Sequence, residues 1–131
     1  MIKILLTVTA IVEGIAGIGL FIAPVAVVSL LLNTPLDTAG GLVAARLGGA
    51  AIVTVAICCW KARSFEMPQS AAGIVMAMLF YNFAAAAVLV YGGVRLGLQS
   101  KFVWPAIVVH AVLAVWCGML VWFSNRKHLT T

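Results

Sequence analysis

Long apolar stretches separated by short polar segments dominate this chain of 131 residues. Four of the stretches approach or exceed the roughly 20 residues that a helix needs to cross about 30 Å of hydrocarbon. They predict an all-α integral membrane bundle of four transmembrane helices, in a single domain that covers residues 1–131. The predicted spans are residues 4–23, 42–60, 69–91 and 102–123.

The first apolar stretch is too long for one straight span, because it runs from about Ile4 to Leu32. Pro24 lies inside this stretch, where its ring removes a helical hydrogen bond and disfavours helix at the preceding Ala23. The sequence therefore predicts a helix break at Pro24, followed by a short interfacial segment over residues 25–32. Glycines at residues 92–93 and 97 predict the end of the third span near Tyr91.

Composition agrees with a membrane protein and excludes other classes. Hydrophobic residues make up 65% of the chain and charged residues only 8%, whereas about a quarter of the residues of a soluble domain are charged. Disorder is excluded too, because it requires low hydrophobicity. The net charge of +5 comes from bases beside the apolar spans, so we expect the lipid bilayer as the surrounding partner and no nucleic acid.

The positions of the basic residues predict the orientation in the membrane, because Lys and Arg are retained on the cytoplasmic side. With four spans, the amino end, the second loop and the carboxyl tail share one side, which holds Lys3, Lys61, Arg63, Arg126 and Lys127. The other side holds Arg95 and Lys101, with Asp37 as a counter-charge. These counts predict a multi-pass protein of the bacterial inner membrane with both termini in the cytoplasm.

Candidate chemistry lies in the polar residues inside the spans, because a charge at membrane depth costs several kcal/mol unless it is paired or hydrated. Each predicted helix carries one such residue, and depth counting places them in one layer. The long side chain of Arg46 could reach the Glu13 carboxylate and form a charge-assisted pair. The predicted polar cluster comprises Glu13, Arg46, Asn82 and His110, with Tyr81 as a further member.

The sequence leaves two roles open for this cluster. It could be a buried polar contact that fixes helix register and nothing else, or a polar pocket that opens toward the outer leaflet. The distance between Arg46 and Glu13 decides between two states of Glu13. If Arg46 pairs with it, Glu13 is ionised and structural; if the two are apart, Glu13 is a candidate proton carrier, with His110 as a possible relay.

Other motifs give no support to an enzyme or a bound cofactor. His110 has no second histidine inside a span to complete a bis-histidine haem site, and neither a phosphate-binding glycine loop nor a zinc motif occurs. We therefore expect no catalytic residues, no metal and no cofactor. Cys58 and Cys59 are adjacent rather than spaced as C-x-x-C, which favours small apolar residues, with metal binding or lipidation as alternatives.

Small residues on every span favour close helix contacts in lipid. They predict ordinary packing within the bundle, and they leave open a homo-oligomer or a partner in a membrane complex. The candidates include Ala10, Gly14 and Gly17 on the first span, and Ala45, Gly48 and Gly49 on the second.

The first two spans resemble those of a known family. Gly-Ile-Gly-Leu-Phe-Ile-Ala-Pro at residues 17–24, the apolar segment after it, and Ala-Arg-Leu-Gly-Gly-Ala at residues 45–50 are similar to the DoxX-like group of small four-helix membrane proteins. The resemblance covers the first half of the chain and carries over Pro24, Arg46 and Gly49. It implies an accessory role beside soluble partners in a quinone-linked or oxidative-stress complex of a bacterial membrane.

A second resemblance is to the small multidrug transporters, four-helix proteins with a glutamate near this point of the first helix, here Val12-Glu13-Gly14. It implies proton-coupled transport with Glu13 as the proton or cation site. Against it, this chain has a strong charge bias and an arginine, Arg46, inside a span. The main expectation is thus a non-enzymatic accessory subunit of a redox or stress complex, or a binder of a small amphipathic ligand such as a lipid or quinone; transport is the alternative.

Overall fold

A computed structural model describes the backbone of residues 1–64 and 68–128 and the side chains of residues 1–64 and 72–123. These residues form only helices: α1 (Ile2–Ile22), α2 (Pro24–Leu32), α3 (Ala39–Ala62), α4 (Pro68–Arg95) and α5 (Val103–His128). Helices α1, α3, α4 and α5 are each long and apolar enough to cross a membrane. The predicted all-α, four-span architecture is confirmed. The side chains of Arg126 and Lys127, which entered the charge count, lie outside the described residues.

The predicted break at Pro24 is confirmed. Ala23 leaves the helical region, with φ −127° and ψ 58°, and Pro24 becomes the first residue of α2, a position where the missing N–H costs nothing. The predicted segment over residues 25–32 corresponds to α2, which ends at Asn33 in the left-handed conformation with φ 52°.

Helix α4 continues four residues past the expected end of the third span near Tyr91, to Arg95. Gly92 and Gly93 are buried, and a helix in an apolar setting keeps its backbone hydrogen bonds even at glycine. The chain reverses instead at Gly97, whose φ of +67° is the conformation that favours glycine. Leu98 N–H then donates to the Gly92 carbonyl at 3.1 Å.

Side-chain hydrogen bonds fix the connections at the end of the bundle that carries α2. Thr38 Oγ1 accepts from Gly41 N–H at 3.1 Å and caps α3. Ser100 Oγ accepts from the Val103 N–H at the start of α5 and donates to the Leu31 carbonyl at 2.6 Å. This second contact attaches α2 to the loop before α5.

The four spans form two closely packed pairs, α1 with α3 and α4 with α5. In the first pair the backbones touch at Gly17 and Gly49. A Cβ on Gly49 would lie 2.5 Å from Phe21 N, and one on Gly17 would lie 2.8 Å from Val53 N. The expectation that small residues bring these helices together is met at these two glycines.

The buried core lies toward the end of the bundle that carries the amino terminus. It is built from the first half of α1, the last part of α3, the described start of α4 and the middle of α5. The opposite end, where α2 lies, is more open. The core residues are Leu5, Leu6, Ala10, Cys59, Ala62, Val75, Met78, Leu113 and Cys117.

Candidate functional site

Glu13 lies near the middle of α1, about 16 Å from Ile2 at 1.5 Å per residue. The side chain is buried, with 1% of its surface exposed. Tyr81 Oη donates a hydrogen bond to Glu13 Oε2 at 2.8 Å. On the other side, His110 Nδ1 lies 3.9 Å from Glu13 Oε1, which is too far for a hydrogen bond. The carboxyl group therefore has one direct polar partner among the described residues.

Asn82 connects His110 to the backbone of α4. Its Nδ2 donates to the Met78 carbonyl at 2.8 Å, so its Oδ1 faces His110 Nδ1 at 3.0 Å. Because Oδ1 can only accept, Nδ1 must be the protonated nitrogen of the imidazole. The opposite amide orientation would put two acceptors against each other at Met78. Tyr81 also packs edge-on against the His110 ring, with centroids 5.9 Å apart.

The cluster joins the two helix pairs. Glu13 belongs to the α1 and α3 pair, whereas Tyr81, Asn82 and His110 belong to the α4 and α5 pair. The structure thus brings together four of the five residues that the sequence predicted for one polar site. The cluster borders the buried core. This position fits one of the two roles that the sequence left open, that of a polar contact that fixes the register of the helices.

Of the two arrangements that the sequence left open, the structure has Arg46 apart from Glu13, so the prediction that Arg46 belongs to the buried polar cluster is wrong. A Cβ on Gly14 would lie 3.8 Å from the Ala56 Cβ, so Glu13 lies level with the second half of α3. Arg46 is about 15 Å away from Ala56 along the axis of α3, farther than its side chain can reach. Among the residues whose side chains are described, Arg46 makes no ion pair and no hydrogen bond.

Arg46 instead lies on the wall of a groove of about 480 Å³ at the break between α1 and α2. It is about 10 Å from the start of α3, and its side chain is exposed. The rest of the wall is almost entirely apolar, with Ser29 as the other polar side chain. The lining residues are Ile22, Ala23, Pro24, Val25, Ala26, Ser29, Leu42 and Arg46.

A second groove, of about 790 Å³, also borders α2. Its wall carries one cation, Lys101, and two aromatic side chains, Phe102 and Trp104. Ala26 and Ser29 line both grooves. Sequence reasoning missed Ser29 and Lys101 as groove residues. A signal for Ser29 existed, because it is the one polar residue in the apolar segment 25–32.

Three other side chains lie outside the polar cluster. Thr54 donates to the Ala50 carbonyl at 2.9 Å and is exposed. Cys58 is exposed and Cys59 is buried in the core, and both are free thiols. Within the described part of the chain, no three His, Cys, Asp or Glu residues are grouped so that they could hold a metal ion.

These features define a class: a multi-pass helical membrane protein with a buried carboxyl, imidazole and amide cluster and an arginine on an open groove. Comparisons of the chain with protein-family models, curated proteins and solved structures gave no match. The two family resemblances noted in the sequence therefore stay predictions.

Proposed function

We propose that the protein is a non-enzymatic binder of a small amphipathic ligand, a lipid or a quinone. The head of the ligand lies against Arg46, and its apolar part lies along the groove beneath α2. One observation carries the proposal: Arg46 is a cation inside a membrane-spanning helix, and no described side chain pairs with it.

The physical reason is the cost of an unpaired charge at membrane depth, several kcal/mol unless a counter-ion, water or a polar head compensates. The guanidinium carries five N–H donors and no acceptor. Its complement is a head group that presents oxygen acceptors, such as a phosphate or a quinone carbonyl. An apolar wall beside the arginine suits the tail of the same molecule.

The size of the groove supports the same conclusion. Ligand sites for small molecules measure about 300–1,000 Å³ and combine apolar walls with a few polar groups. The groove at Arg46, at about 480 Å³, has this composition. With the orientation expected from the charge counts, both termini in the cytoplasm of a bacterial inner membrane, the groove opens to the outer leaflet.

Native mass spectrometry of protein released from mild detergent tests the proposal. We expect wild type to retain a molecule of defined mass and Arg46→Ala to lose it. Arg95→Ala is the matched control, because Arg95 is an exposed cation at the same end of the bundle and lies outside both grooves. It should keep the molecule. Circular dichroism of each variant checks that the helices are intact.

Added probes then separate the two ligand chemistries. Short-chain phosphatidylglycerol and a short-chain quinone are titrated separately into delipidated protein. Tighter binding of one of them by wild type than by Arg46→Ala, with Arg95→Ala unchanged, identifies the head group. Equal binding by all three proteins contradicts the proposal and favours the accessory-subunit interpretation, in which function depends on a protein partner.

The transport alternative has less support from the geometry. Exchange of a substrate at Glu13 requires its carboxyl group on the wall of an open cavity, whereas Glu13 is 1% exposed and lies outside both grooves. Proton-coupled transport stays a prediction.

A further inference from the structure

Two buried oxygen atoms on α1 lack hydrogen-bond partners among the described residues. They are Thr9 Oγ1 and Glu13 Oε1. Residues four apart on a helix lie on the same face, with Cβ atoms about 5–6 Å apart, so the Thr9 and Glu13 side chains share one face of α1. A buried polar atom without a partner is costly, and in native proteins it indicates a missing ion, water or proton.

Thr9 differs from two other threonines in the spans. Thr7 Oγ1 donates to the Lys3 carbonyl at 2.8 Å, and Thr54 Oγ1 donates to the Ala50 carbonyl at 2.9 Å. Each hydroxyl therefore has its hydrogen-bond acceptor on the preceding turn of its own helix. Thr9 makes no such bond, although it is fully buried. Its hydroxyl is therefore free to interact with Glu13.

The groups around Glu13 supply no full positive charge. Tyr81 from α4 and His110 from α5 face the carboxyl group, and Cys59 from α3 and Cys117 from α5 lie in the adjoining core. The described lysine and arginine side chains are all outside the buried core. The imidazole of His110 could carry a charge, yet its Nδ1–H is bonded to Asn82 and not to Glu13.

We infer that Glu13 is a proton-binding site, in which the carboxyl group carries its proton on Oε1 and donates it to Thr9 Oγ1, directly or through one water molecule. Thr9 Oγ1 and Glu13 Oε1 are not bonded to each other as the side chains stand; a direct bond formed by a side-chain rotation, or a bridging water, satisfies both atoms. A protonated carboxyl group has a single donor and keeps an acceptor oxygen, so Oε2 still accepts from Tyr81.

An ionised carboxylate and a bound metal cation both fit this site less well than a bound proton. An ionised Glu13 could accept a hydrogen bond from the Thr9 hydroxyl, but it would have no full positive charge to offset it, because His110 Nδ1 is 3.9 Å away and bonded to Asn82. Hard metal cations take several oxygen ligands, whereas only two unpartnered side-chain oxygens lie here among the described residues. A neutral carboxylic acid also avoids the cost of a buried charge.

Infrared spectroscopy of the protein in lipid nanodiscs tests the site. The chain has only three Asp and Glu residues, so the C=O band of a protonated carboxyl group can be assigned. We expect this band in wild type at pH 7, and its loss in Glu13→Gln. Asp37→Asn and Glu66→Gln are the controls, and both should keep it. Absence of the band in wild type, or its survival in Glu13→Gln, overturns the inference.

A matched pair of threonine variants tests the role of Thr9. Thr9→Val removes the acceptor with little change of shape, and we expect the Glu13 band to move to the higher frequency of a carboxyl group without a hydrogen bond. Thr7→Val, on the same helix, should leave the band in place. An unmoved band in a folded Thr9→Val protein contradicts the assignment of Thr9.

A comparison of the infrared band in NaCl and in choline chloride, at constant ionic strength, distinguishes a bound proton from a bound sodium ion. The band should be equal in both salts. Its selective loss in NaCl means that sodium displaces the proton, which overturns the assignment of a proton site. The site is distinct from the groove at Arg46, and the result does not depend on whether a ligand binds there.

Discussion

The imidazole of His110 is held in one tautomer by its neighbour, which makes its protonation measurable. Because Asn82 Oδ1 accepts from Nδ1, we expect nitrogen-15 NMR of labelled protein to show a protonated Nδ1 in wild type. In Asn82→Ala the acceptor is gone, and the Nδ1–H tautomer should lose its preference. Equal tautomer populations in wild type and variant would contradict the orientation of the amide.

The hydrogen bond from Tyr81 to Glu13 crosses between the two helix pairs, so its loss should affect stability. Tyr81→Phe leaves Glu13 Oε2 without its donor in a buried site, and we expect a loss of about 1–3 kcal/mol in the free energy of unfolding. Tyr91→Phe is the control, because Tyr91 is exposed. Reversible unfolding in mixed detergent gives both values; equal stabilities of the two variants would contradict this role.

At the residue scale, the sequence located most of the polar cluster. Polar groups inside a lipid bilayer cost free energy, and this cost alone identifies Glu13, Asn82 and His110 as candidates from the sequence. The error concerned Arg46, whose depth was counted from assumed span boundaries. The true axial offset depends on how α1 and α3 are aligned, and the contact between Gly14 and Ala56 sets that alignment. A hydropathy pattern does not contain this information.

At the scale of helices, the close contact between α1 and α3 leads to a prediction about stability. Gly49→Ala places a Cβ 2.5 Å from a backbone nitrogen of α1, and backbone atoms cannot move aside as a flexible side chain can. We expect a loss of at least about 1–3 kcal/mol, the usual cost of overpacking. Gly73→Ala in α4 is the matched control, because nothing lies within 4 Å of its added Cβ.

Unfolding of both variants in the same detergent gives the comparison. The Gly73→Ala protein should be as stable as wild type or more stable, since alanine favours helix over glycine. A Gly49→Ala protein with unchanged stability would mean that α1 and α3 are farther apart than described.

Helices were predictable to within a few residues where hydropathy and proline dominate. Apolar length fixed the four spans, and Pro24 fixed the break, because its effect on the preceding residue is local. The end of α4 was not predictable in the same way. Gly92 and Gly93 look like a helix end in the sequence, but both are buried, and only the turn at Gly97 shows where the helix ends.

At the scale of the whole molecule, orientation is the most direct property to test. In a variant whose three cysteines are replaced by alanine, we expect Asp37→Cys to react with a membrane-impermeant maleimide added outside spheroplasts. Ser64→Cys, at the other end of the bundle, should react only after permeabilisation. Both positions are exposed, so full labelling after permeabilisation is the internal control. The reverse pattern would place the termini outside the cytoplasm.

The arrangement of the bundle in two pairs could not be read from the sequence. All four spans have similar hydropathy, so composition does not indicate which of them pack most closely. The close glycine contact joins α1 to α3. Between the pairs, Tyr81 donates a hydrogen bond to Glu13, and His110 lies 3.9 Å from the same carboxyl group. Helix register between the pairs thus depends on this polar contact together with the apolar core that all four spans build.

The short helix α2 is a wall shared by two grooves, through Ala26 and Ser29. These two residues are three apart and lie on one face of α2, so the grooves meet along this face. Molecules bound in the two grooves would therefore compete for contact with Ala26 and Ser29, and by thermodynamic linkage each would weaken the binding of the other by the same factor.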